Sequence, residues 1–274
     1  MKNITCATFL SVLIGILLQS MGWGGESPST TELRPKLDIR PKNEKEWEAG
    51  MADVKKVLYS SARELTRYFP EQKIPVIEVT PKGGPITLYD RGPNGEIRVK
   101  LNTGKLYWAQ YSFQFAHEMC HVMCDCKPRA NPNHWFEESL CETASIFVLR
   151  KMAQTWKTEP PYPHWKDYSK ALDNYASERI ALGKTPEGKT FKVWFKENEQ
   201  DMRLKSTDRA RNNIVAGVLL PLFEAEPEMW ESLVHLNEEL PDKFRSIKDH
   251  LDAWRRNSPE KQRPFIDKII ASFF

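Results

Sequence analysis

Net charge is nearly absent from this chain: 40 Lys and Arg face 37 Asp and Glu over 274 residues, leaving +3 at neutral pH. A dense Lys/Arg stripe interleaved with aromatics is also missing, and the two absences together exclude nucleic acid as the partner. Internal repeats and low-complexity tracts are lacking. Hydrophobic residues at 40% and charged residues at 28% describe an ordinary soluble globular protein, long enough for one mid-sized domain with a sizeable core.

Long apolar runs are confined to one place. Lys2 precedes the run ITCATFLSVLIGILL over residues 4–18, and small and polar residues follow at Ser20, Met21 and Gly22. This is the pattern of a secretory signal, with cleavage after Gly22 and export to the periplasm or the medium as the consequence. The alternative is an uncleaved membrane anchor, because no charge occurs between Asn3 and Gly25. Cysteine is scarce. Cys6 lies inside the apolar run, and the other four, Cys120, Cys124, Cys126 and Cys141, share one short window. In an oxidising compartment four cysteines predict up to two disulfides, with three pairings open. A cysteine metal site is the weaker reading, because the C-x-C of Cys124 and Cys126 has no matching second pair.

What is present is a change of periodicity along the chain. Residues 23–43 mix Pro, Ser, Gly and charge, and read as a linker or exposed arm. Helical spacing follows over 44–68, then β-type runs over 74–80, 86–90 and 96–102, the last two flanking the hairpin signal Asn94-Gly95. The final run alternates Ile97, Val99 and Leu101 with Arg98 and Lys100, a strand with one buried and one wet face, which reads as a sheet edge. Helices are predicted over 106–124 and 135–155. Further helices follow over 164–181, 193–199, 208–224, 227–236, 242–256 and 259–274, with aromatics such as Trp194, Trp230 and Trp254 as core. The expected fold is α+β: a small mixed sheet with helices, then a mostly helical C-terminal part. Residues 44–156 form the expected catalytic core and 157–274 a helical subdomain.

The chemistry centres on His117-Glu118-Met119-Cys120-His121. On a helix, residues four apart share a face, so both imidazoles can reach one Zn²⁺ at about 2.0–2.1 Å. Glu118 is then placed to exchange protons with a water that the zinc acidifies. A third protein ligand is required. The third His of the extended H-E-x-x-H-x-x-G-x-x-H pattern is missing, since Lys127 stands in its place. The next helix offers Glu138 and Glu142, again four apart: one can bind the metal while the other fixes the tautomer of a ligand His. Glu137 reads as an acidic residue favoured by the helix dipole. His134 reads as a helix-start residue near the site. Tyr162, His164, Tyr168 and Tyr175 are open candidates for stabilising an oxyanion.

Together with Trp135-Phe136-Glu137-Glu138-Ser139, these motifs resemble the gluzincin branch of the zincin metallopeptidases over about residues 97–148. Glu137 stands where that branch usually has Asn, and Ser139 where it usually has Gly. The resemblance implies a zincin-like fold, Glu138 as metal ligand, Glu142 as the acid that orients a histidine, and a peptide or protein as substrate. It also implies an edge strand at 96–102 that pairs with the substrate backbone. The short gap between His121 and Glu138 resembles compact gluzincins and leaves Glu142 as an alternative ligand. Two rivals remain: a zincin fold that binds without turnover, and a helical protein with a closed structural Cys/His zinc.

Overall fold

The computed structural model describes residues 36–125, 131–239 and 245–274. The expected signal segment 1–22, residues 23–35 of the expected arm, and Cys126 lie outside the described residues. Within the stretch read as an arm, residues Ile39–Pro41 form a strand, β1. Ile39 is buried and its amide donates to Tyr59 Oη at 3.0 Å. The chain continues through α1 (Met51–Thr66), β2 (Ile77–Thr80), β3 (Ile86–Leu88) and β4 (Ile97–Lys100). After these come α2 (Trp108–Met123) and α3 (His134–Thr158). The remainder is helical: α4 (Ser169–Leu182), α5 (Phe191–Leu204), α6 (Arg209–Ala225), α7 (Ile247–Asn257) and α8 (Arg263–Phe273), with 3-10 turns between them. The architecture is α+β, with one small mixed sheet. No helix among the described residues is long and apolar enough to cross a membrane.

The sheet has the order β1-β2-β4-β3. β1 and β4 both run parallel to β2, while β3 pairs antiparallel with β4, Thr87 lying opposite Val99. This corrects the expected edge. β4 is paired on both sides, because the hairpin through Gly95 (φ 84°) folds β3 back onto it. β3 therefore takes the outer position, and it is β3 that packs against α2. Gly84, at the entry to β3, lies so close to β4 that an added Cβ would sit 2.0 Å from the Lys100 carbonyl oxygen.

α3 is the central post, packed against α1, α2, α4, α5 and α6. Every residue from Ser139 to Leu149 is buried, so the helix has no wet face along that stretch. Its hydroxyls are accommodated by bonding back along the helix: Ser139 Oγ donates to Trp135 O at 2.8 Å and Thr143 Oγ1 to Ser139 O at 2.7 Å. Ser145 Oγ reaches across to Phe113 O on α2 at 2.9 Å, which joins the two helices by a direct bond. The start of α3 is fixed by buried Asn133, whose Nδ2 donates to Arg245 O and whose Oδ1 accepts from Arg203.

Candidate metal centre

α2 and α3 cross so that His117 and His121 face Glu138. His117 Nε2 lies 3.3 Å from Glu138 Oε2, and His121 Nε2 lies 3.6 Å from Glu138 Oε1. Each imidazole thus approaches a different oxygen of one carboxylate, which brings two histidines and a glutamate together where the helices cross. The donor chemistry fits a metal ion: two imidazoles and a carboxylate form the ligand type of an open, catalytic site.

The orientation of His121 is set by a residue that sequence reasoning assigned elsewhere. Its Nδ1 lies 2.7 Å from Glu137 Oε1. A carboxylate only accepts, so Nδ1 carries a proton, which leaves Nε2 as the nitrogen that can ligate an ion. Glu137 is itself held, since Asn237 Nδ2 donates to its Oε2 at 2.8 Å and to the Cys124 carbonyl at 2.9 Å. Burial alone would disfavour a charged His121, yet the bond and charge of Glu137 outweigh it and hold the imidazole pKa well above its ordinary value. For Glu138 burial acts upward, but the bonds from His117 and His134 hold the carboxyl far below the usual carboxylate range. Cation-attracting charge is thus concentrated where the two helices meet.

Glu142 was expected to orient a histidine. Its Oε2 lies 3.9 Å from His117 Nδ1, beyond hydrogen-bonding reach, and its buried Oε1 has no hydrogen-bond partner among the described residues. Burial raises the Glu142 pKa. The orienting bond is the one from Glu137 to His121 instead. The sequence carried a faint signal of this, because Glu137 already stood out as the residue that departs from the resembled motif. His134 is both the first residue of α3 and a neighbour of the site, with Nε2 3.3 Å from Glu138 Oε1.

Glu118 is almost wholly buried, and Thr87 Oγ1 on β3 donates to its Oε2 at 2.8 Å. No motif around Thr87 pointed to this role, which depends on β3 occupying the edge. Glu118, the two histidines and Glu138 all line one cavity of about 500 Å³, with β3 residues Ile86 and Thr87 on its rim. Of the four oxyanion candidates only Tyr175 lines the cavity. Tyr168 Oη accepts from the Ala109 amide, and Tyr162 stacks on His164.

Cys120, Cys124 and Cys141 are free, buried thiols, so the expected disulfides are not formed among them. Burial raises Cys120 and Cys141 well above the ordinary thiol value. Contact with Cys120, followed by burial, does the same for Cys124. His117, His121 and Cys141 also bring donor atoms within 4.8 Å of one another and could hold a metal ion. The two donor sets differ in access. Glu138 lines the cavity, whereas Cys141 is fully buried and does not.

Comparison with protein-family models, curated proteins and solved structures returned no match for this chain.

Proposed function

We propose that the chain is an exported, zinc-dependent metallopeptidase of zincin-like fold and gluzincin type, acting on a peptide or protein substrate. One observation carries the reading: two imidazole Nε2 atoms converge on the two oxygens of Glu138, within the same cavity as the Thr87-anchored carboxylate of Glu118. His117, His121 and Glu138 would hold the ion, which as a Lewis acid polarises a peptide carbonyl and acidifies water toward neutrality. The chain's own residues then manage the protons. Thr87 occupies Glu118 Oε2 and leaves Oε1 to take a proton as water adds to the carbonyl carbon. Glu118 delivers that proton to the amide nitrogen as the C–N bond breaks, so that an amine leaves and a carboxylate remains. Glu137 keeps His121 in the ligating tautomer throughout.

The second reading rests on Cys141. If the ion sits between His117, His121 and Cys141, it is enclosed and structural. Zinc content and hydrolysis of a mixed peptide library, measured for the parent, Glu118→Gln and Cys141→Ser, separate the two. The peptidase reading expects about one zinc in all three and cleavage lost in Glu118→Gln by about 10²–10⁴-fold. Loss of zinc from Cys141→Ser alone would favour the structural ion, and a zinc-free parent would sink both.

A further inference from the structure

Beside the four-residue site, the same cavity is lined by Arg179 of α4 and Arg209 of α6. Arginines elsewhere near these helices are engaged. Arg211 bonds Asp201, Asp208 and Asn198, and Arg203 bonds Asn133 and the Arg245 carbonyl. Among the described residues Arg179 and Arg209 form no such bond. The Arg179 guanidinium instead lies beside the edge-to-face pair of Phe113 and Tyr175, 4.8 Å from the centre of the first ring and 5.4 Å from that of the second. Its Nε is buried without a hydrogen-bond partner among the described residues, so a ligand in the cavity would meet the terminal nitrogens of the guanidinium. Arg209 is the first residue of α6, where the helix dipole is positive and a cation is disfavoured. Arg209 is exposed on the cavity wall, so its guanidinium is solvated and open to a ligand. Both arginines act through space on Glu142, but neither pairs with it.

We propose that Arg179 and Arg209 form a carboxylate-recognition subsite, so that the substrate carries a carboxylate close to the bond that is cut. The carboxylate is either the free C-terminus of a peptide or an Asp or Glu side chain. Planar guanidinium forks match that group geometrically, and contact with Phe113 and Tyr175 restricts where the Arg179 side chain can lie. This inference rests on the peptidase reading for the word substrate, though not for the binding itself.

The test uses the full chain, zinc-loaded and zinc-stripped, and calorimetry with N-acetylphenylalanine and its amide. The acid is expected to bind about tenfold or more tighter than the amide in both forms. That preference should fall to near unity in Arg179→Gln and Arg209→Gln, while Arg179→Lys, which keeps the charge but not the fork, keeps part of it. Equal or undetectable binding of acid and amide by the parent overturns the proposal, as does a preference that survives both Gln variants. Matched peptides, free-acid, C-amidated, and C-amidated with an internal Asp, then locate the carboxylate by which is cleaved faster. Acid preference without any cleavage keeps the subsite and removes the peptidase reading. Cleavage indifferent to every carboxylate, with acid and amide bound alike, keeps the peptidase and removes the subsite.

Discussion

Two regions meet at the first turn of α3 and solve the problem of burial in opposite ways. Trp135 and Phe136 turn toward the C-terminal helices, where Phe273 packs its ring 4.8 Å from Phe195, 5.2 Å from Phe191, 5.9 Å from Phe136 and 6.2 Å from Trp135, centre to centre. The next two residues, buried Glu137 and half-buried Glu138, turn toward α2 and lie among histidines. The aromatic side gains from area removed from water and from edge-on ring contacts. The helix seam does the reverse: it takes several ionisable groups out of water and recovers only part of that cost through pairing. The apolar region therefore holds the glutamate helix in the register that the charged region needs, which is a division of labour between stability and chemistry.

The comparison is broken most forcefully from the aromatic side. Phe273→Ala should lower unfolding free energy by about 3–5 kcal/mol, the usual cost of removing a buried ring. Chemical denaturation measures it, and zinc stoichiometry of the folded protein should stay unchanged. A loss of zinc without a loss of stability would mean that the two regions are not separate in this sense. The next effect concerns the only buried histidine on α7. His250 is 3% exposed, its Nδ1 has no partner, and burial, helped by Arg245, lowers its pKa to about 4. Where the seam pairs its charges, this region keeps its titratable group neutral. An unfolded His binds protons near pH 6.5 and the folded one only near 4, so the unfolded state binds more protons in between. The stability is therefore fully present above pH 6.5 and is lost as pH falls toward 4, by about 3 kcal/mol. Denaturation midpoints of the parent and His250→Leu across that window check it, since the variant should show a flatter profile.

How much of this was legible in the sequence differs between the same two regions. Helix positions came through, because 3.6-residue periodicity survives in α1, α2 and the C-terminal helices. His117 and His121 share a face because spacing on a helix is a local property that tertiary packing leaves intact, and the crossing of α2 and α3 brings Glu138 to them. β1 was missed because a three-residue strand carries no period, and only its pairing with β2 shows it to be part of the sheet. The edge was misplaced for a related reason: alternation in 96–102 reports one wet face, but not whether a hairpin partner covers the open side. Thr87, Asn237, Arg179 and Arg209 arrive at the site from four separate segments, and no spacing rule links them to the motif. Glu137 is the instructive case, because its position at the start of a helix gave a sufficient local reason for an acid and hid the non-local one.

That residue gives the finest test of the comparison. Glu137 Oε1 holds His121 Nδ1 at 2.7 Å, whereas Glu142 stands 3.9 Å from His117 Nδ1, close enough for charge to act but without a hydrogen bond. Removing the charge but not the shape of each should therefore have unequal effects. Glu137→Gln should weaken metal affinity by about 10–100-fold, because an amide can still accept from Nδ1 but no longer raises the basicity of Nε2. Glu142→Gln should cost less, and should raise stability slightly, because it removes a buried carboxylate whose Oε1 lacks a partner. Chelator-competition titration reads the affinities and thermal denaturation reads the stability. An unchanged affinity in Glu137→Gln, with the larger loss in Glu142→Gln, would reverse the two roles and make His117 the histidine whose orientation matters.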